Sequence, residues 1–146
     1  MARLLLGFLI SLITLFHLCF GETISIKAEK ISGDNRVVHY VGNVRAITDS
    51  NKKLYCNLLT IFLTKDGKIQ KILAKGHVIF QSGNYTAISD KLTYLPLQHL
   101  IIAEGNAMVK NSKSIIKGRK IFYNLLTKKF YVQGPVNSIF VIKNSN

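Results

Sequence analysis

The chain is predicted to be all-β, a stack of about four repeats of ~30 residues each. Three observations carry that prediction. Glycines stand at positions 42, 76, 105 and 134, separated by 34, 29 and 29 residues. Around each, the positions two and four before and two after are apolar in all four copies. These are Val38, Tyr40 and Val44; Ile72, Ala74 and Val78; Ile101, Ala103 and Ala107; Phe130, Val132 and Val136. The opposite parity is mixed, so the pattern has period two, the mark of strands with one buried face. Turn-forming clusters then cut the chain into segments: "SGDN" (32–35), "TDSNKK" (48–53), "KDGK" (65–68), "QSGN" (81–84) and "KNSK" (110–113).

The first segment differs from the rest. Met1-Ala2-Arg3 is basic, and "LLLGFLISLITLFHLCF" (4–20) carries no charge. This is the pattern of a secretory signal, with Cys19 and Gly21 placed before a cut ahead of Glu22. The expected division is therefore a signal peptide at 1–21 and a single domain at 22–146. The alternative is an uncleaved membrane anchor, since the apolar run is near the lower limit for spanning a bilayer. Both place the domain outside the cytoplasm. Removing residues 1–21 takes Arg3 and no acidic residue, so the formal charge falls from +13 to +12. In an exported chain, that charge points to phosphorylated lipid or anionic polysaccharide rather than nucleic acid.

Each repeat pairs two landmarks. The glycine strand is the second. The first reads "IKAEKISG" (26–33), "CNLLTIFL" (56–63), "AISDKLTYL" (87–95) and "IKGRKIFYN" (116–124). Lys30, Lys91 and Lys120 fall in register within it, each followed by Ile or Leu; the second copy has Leu59-Thr60 and is the most divergent. A glycine inside a strand marks a bulge, a bend or a close backbone approach. Repeated at one level of a stack, it bends every layer at the same place. Pro135 follows the last glycine and donates no ladder hydrogen bond, which assigns it to an edge. No long helical pattern follows residue 22. The ends of such a stack expose strand edges, a hazard unless they pair with a partner by strand addition.

Catalytic signatures are missing. His39, His77 and His99 lack metal-ligand spacing, and the seven acidic residues are scattered, several in turns. There is no nucleophile elbow and no phosphate loop. Cys56 is the lone cysteine after residue 21, so the domain has neither an internal disulfide nor a zinc cluster, and a lone cysteine in a strand reads as packing. The expectation is a protein without catalytic activity, metal or cofactor.

In order, these residues resemble the LptA/OstA family of periplasmic lipopolysaccharide-transport proteins. The resemblance rests on Gly42-Asn43-Val44 and Gly105-Asn106-Ala107, on Ser89-Asp90-Lys91-Leu92-Thr93-Tyr94 and on "SIIKGRKIFYN" (114–124). It covers about residues 24 to 140. It implies an open, OstA-like β-jellyroll whose apolar groove carries lipid A acyl chains. It also implies head-to-tail stacking of copies through edge strands. That stack would reach from an LptC-like inner-membrane protein to an LptD-like outer-membrane protein.

Carried over by motif, Ile24, Ile26, Phe80 and Tyr94 match apolar or aromatic groove positions. Pro96 departs from the family pattern, and no contact is carried to it. The parity pattern adds Val38, Tyr40, Val44, Ile72, Val78 and Ile101 to the candidate groove. Lys30, Lys91 and Lys120 are the candidate contacts for anionic headgroups, although lysines along strands also serve simply to keep edges soluble. Two other readings share the architecture: an LptC-like anchored component of the same pathway, and a structural or adhesive β-repeat protein with a closed core.

Overall fold

The computed structural model describes residues 23–141. The expected signal segment, 1–21, lies outside them. Ten strands form one antiparallel sheet: β1 (Ile24–Lys27), β2 (Lys30–Gly33), β3 (Val37–Thr48), β4 (Lys53–Leu63), β5 (Ile69–Ser82), β6 (Tyr85–Leu95), β7 (Leu100–Lys110), β8 (Ser114–Asn124), β9 (Phe130–Gln133) and β10 (Asn137–Phe140). Six long strands, β3 to β8, pair with their sequence neighbours. At one edge β1 and β2 both pair with β3; at the other β9 and β10 both pair with β8. The sheet is thus eight layers deep, and both outermost layers are broken in two.

The turns have local chemical causes. Asp34 Oδ1 accepts the N–H groups of Arg36 (2.8 Å) and Val37 (3.0 Å), which holds its carboxyl below the usual carboxylate range and closes the β2–β3 turn. Asn111 Oδ1 likewise accepts from Lys113 N and Ser114 N, both at 2.8 Å. Asn124 Oδ1 accepts from Leu126 N and Thr127 N. Between β5 and β6 two residues suffice, with Gly83 at φ +59° in the first central position.

The repeated glycines explain the shape. In β3, β5 and β7 the register slips by one residue at the glycine, so two residues face one on each neighbouring long strand: Gly42-Asn43, Gly76-His77 and Gly105-Asn106. All six have positive φ. These are bulges, stacked at one level, and each bends its strand.

The reason for glycine is the neighbour. Glu29, Asn57, Asp90 and Arg119 each lay a side chain over the glycine of the following strand. A Cβ on Gly105 would stand 2.5 Å from Asp90 Oδ2 and 2.9 Å from Asp90 Cβ; one on Gly76 would stand 2.6 Å from Asn57 Nδ2. The bulge asparagines then grip the covering carboxylates: Asn43 Nδ2 donates to Glu29 Oε1 at 2.9 Å and Asn106 Nδ2 to Asp90 Oδ2 at 3.3 Å. The two landmarks of each repeat are therefore the two halves of one corner. At Gly134 (φ +93°) the corner is followed by Pro135, and the strand breaks there into β9 and β10, at an edge as expected.

Burial follows the corner. Positions two residues either side of the first three glycines are sealed, from 1 % exposed at Val44, Ala74, Val78 and Ala107 to 4 % at Tyr40 and Ala103. The larger core cluster joins β3, β4 and β5 on both sides of the bend, with Leu59, Ile61 and Cys56 among its members. A flat single sheet cannot hide Ile61 to 1 % exposure; the sheet must fold over at the corners so that its two arms cover each other. A smaller cluster of Ala103, Ala107 and Ile121 continues it. Of the twelve apolar positions that set the sequence pattern, ten are buried or half-buried; Phe130 and Val136, in the last copy, are exposed.

Two outcomes are expected. Gly105→Ala strains a φ of +79° and collides with Asp90, and should cost about 1–3 kcal/mol in urea unfolding. Gly83→Ala has nothing within 4 Å of the new methyl and should cost less; equal losses would mean the covering side chain is irrelevant. Burial pushes the Cys56 thiol up to about 11, so it stays protonated in mildly alkaline buffer. In a Cys19→Ser chain Cys56 should react with Ellman's reagent only as the protein unfolds. Fast labelling of the native state would show that β4 opens.

Candidate functional site: an apolar trough

The strand register sorts side chains into rows that cross the sheet. One inner row runs Tyr40, Leu59, Ala74, Leu92, Ala103, Ile121, Val132. It adjoins the corner and is buried or half-buried throughout. A second, one step further out on the same arm, runs Val38, Ile61, Ile72, Tyr94, Ile101, Tyr123, Phe130. It begins at 3 % exposure at Val38, is half-buried from Ile72 to Tyr123, and ends at 61 % at Phe130. On the other arm the matching row is Ile26, Ala46, Leu54, Phe80, Ala87, Val109, Ile116, with every member beyond Ala46 half-buried. The corner rows make a sealed floor, and the outer rows make two apolar walls. The larger core cluster joins both arms over β3 to β5, and toward β8 the outer rows stay half-buried beside the smaller cluster.

This places every candidate groove residue. Val38, Tyr40, Val44 and Val78 are packed into the floor and the closed end. Ile24, Ile26, Ile72, Phe80, Tyr94 and Ile101 stand half-buried, the first two beside the closed core and the others along the walls. Sequence reasoning missed Val109, Ile116 and Tyr123, which extend the walls. The signal was available: they occupy the same register positions as Phe80 and Tyr94, two or three strands on. It also missed the parity break in the even strands. Leu54 and Cys56 point inward, and so do Leu59 and Ile61, because the covering residue and its neighbour (Asn57-Leu58) span the corner between them.

The candidate lysines lie elsewhere. Lys30, Val41, Leu58, Lys75, Lys91, Glu104, Lys120 and Gln133 form one row, offset by one residue from the sealed inner row. Adjacent strand residues face opposite ways, so the row belongs to the outer face. Lys30, Lys91 and Lys120 are indeed in register. Lys120 is engaged, with Nζ 3.5 Å from Glu104 Oε1 and 5.0 Å from the Phe122 ring centre.

A polar depression of about 320 Å³ lies by the β3–β4 and β5–β6 turns, lined by Ser50, Asn51, Lys53, Gln81, Gly83 and Thr86. It offers no apolar side chain to a lipid. No cluster of three metal-ligating side chains and no helix long and apolar enough to cross a membrane occur among the described residues.

An open antiparallel sheet, bent at a column of glycine bulges and carrying an apolar trough, matches a family model over residues 23–129: the LptA/LptD N-terminal domain of lipopolysaccharide transport proteins. The chain belongs to this LptA/LptD N-terminal domain family. Among solved structures it is similar to LptH of Pseudomonas aeruginosa, which is described as the LptA-homologous periplasmic component of the lipopolysaccharide transport device. The TM-score is 0.71 at 17 % identity, over 80 % of this chain and 94 % of that one. At that identity the likeness is one of fold, and the fold is the LptA-like β-jellyroll. No curated protein is significantly similar in sequence. The family is one of transport proteins rather than enzymes.

Proposed function

We propose that this chain is a periplasmic carrier that holds the acyl chains of lipopolysaccharide in its apolar trough. It passes them along a head-to-tail stack between an LptC-like inner-membrane protein and an LptD-like outer-membrane protein. It does no covalent chemistry and uses no cofactor. The observation that carries this reading is the graded wall. The row from Val38 to Phe130 is apolar or aromatic at all seven positions, yet exposure rises along it instead of staying low as in a closed core. Apolar surface left half-open is stabilised by roughly 25 cal/mol per Å² once an acyl chain covers it. Because every layer offers a similar face, cargo shifts from one layer to the next with little change in buried area.

The stacking half of the proposal rests on the β9–β10 edge. Residues 130–141, "FYVQGPVNSIFV", contain no charge in a chain of formal charge +13. Phe130, Ile139, Phe140 and Val141 are more than half exposed. An edge without lysine, which would normally block pairing, suits addition of a partner strand. The β1–β2 edge, with Lys27, Glu29 and Lys30, is charged and polar by contrast.

A photo-crosslinking residue at Phe80 or Ile101, in the chain incubated with lipopolysaccharide, should give a lipopolysaccharide adduct, whereas one at exposed Gln81 should not. A folded protein with no adduct at either wall position would remove the trough reading and favour a closed structural repeat. For the edge, Ile139→Lys should lower self-association in sedimentation velocity. Unchanged association would exclude β10 as the contact.

A further inference from the structure

The outer face of the β2-to-β9 arm is built for something other than water. Beside the lysine row runs a second outer row: Ser32, His39, Thr60, Leu73, Thr93, Ile102, Phe122, Tyr131. Its last three members are apolar or aromatic: Ile102 and Phe122 are half-buried and Tyr131 is 60 % exposed, whereas Thr60 and Thr93 earlier in the row are buried. Phe122 and Tyr131 stand 6.1 Å apart between ring centres. The trough lies on the other side of the same strands, so it makes no use of these residues.

The lysine row contains an arrangement that costs stability. Lys75 and Lys91 are direct cross-strand partners. Like charges placed opposite each other on one sheet face repel. The sole carboxylate of the row, Glu104, bridges to Lys120. Glu104 also faces Lys91 across the β6–β7 ladder, while the two cross-strand neighbours of Lys75 are Leu58 and Lys91. Lys71 extends the cationic side from beyond the apolar row, its Nζ 5.5 Å from the Phe62 ring centre. Thus an apolar strip is bordered by a row in which lysines outnumber the single carboxylate, with the Nζ atoms of Lys71 and Lys120 each over an aromatic ring.

We infer that this outer face docks onto an anionic lipid bilayer, Lys75, Lys91 and Lys120 meeting headgroup phosphates while Ile102, Phe122 and Tyr131 enter the interface. Charge complementarity selects the occupant. A second copy placed face to face would bring lysine row against lysine row. A phosphodiester chain would satisfy the lysines but gain nothing from the apolar strip. A bilayer surface supplies both, since its headgroup phosphates lie directly over acyl-chain boundary, where aromatic side chains settle readily. The inference goes beyond the carrier reading and stands if the trough proves empty of lipid.

Adjacent residues on β7 separate the two. In the full chain with Cys19→Ser and Cys56→Ala, a spin label is placed through Ile102→Cys on the outer face or Ile101→Cys on the inner. Vesicles of phosphatidylglycerol and phosphatidylethanolamine are compared with vesicles of phosphatidylcholine alone. With the anionic vesicles, the label at 102 should lose several-fold in collision rate with a water-soluble nickel chelate and gain with oxygen. The label at 101 should show neither change. Phosphatidylcholine should have little effect, and the Lys75→Glu/Lys91→Glu pair should abolish the change at 102.

Any of four results overturns the inference: no change at 102; an equal change with phosphatidylcholine; an equal change in the charge-reversed pair; or a change without vesicles as protein concentration rises, which marks a second copy. A change at 101 alone would support the trough and refute the outer-face dock. If Ile102→Cys fails to fold by circular dichroism, Tyr131→Cys, exposed on the same face, takes its place.

Discussion

Everything in this fold depends on a side chain lying where a Cβ would otherwise be. Asp90 over Gly105 is the clearest instance: the carboxylate sits against bare backbone, and Asn106 holds it there. The contact needs a residue without a side chain and a backbone with φ near +80°, and glycine supplies both. Repeated at Gly42, Gly76 and Gly105, the same contact bends alternate strands at one level. Antiparallel strands transmit the bend, because a bulge that faced a straight neighbour would tear the ladder. The result is a sheet creased along a line perpendicular to its strands, with two arms facing each other.

The crease creates the burial gradient that matters for function. Side chains beside the fold line are covered by both arms, which is why even Ala74 and Ala107 are sealed. Those further out depend on how closely the arms approach. Over β3 and β4 the walls hold Val38, Ile61 and Leu63, and the arms meet. Over β7 and β8 a smaller cluster of Ala103, Ala107 and Ile121 is sealed near the crease, while the outer rows stay half-buried. The trough thus belongs to a single folded sheet. It needs no separate architectural device.

Much of this was legible in advance. Period-two alternation around four glycines identified strands, their inner face and the crease. Asp, Asn and Gly clusters marked the turns that Asp34 and Asn111 close; the turn closed by Asn124 lay outside them. The in-register lysines proved to share one row. What could not be read was the face they occupy. That depends on the parity break at Asn57-Leu58 and its equivalents, and the break exists only because the facing strand bulges there. Nor could the alternation separate Val38, sealed at the closed end, from Ile101, half-open in the wall, since both occupy the same position relative to a glycine.

The sequence by itself determined which residues form strands, where each strand bends and which side is apolar, because those are matters of local geometry and spacing. It also set the sign of the surface through its excess of lysine. Only the tertiary structure decided how far the two arms stand apart, and hence which apolar residues are core and which remain available to a ligand. That distance is set by the summed bulk of side chains that meet across the crease from strands far apart in the chain. No window along the sequence contains both partners.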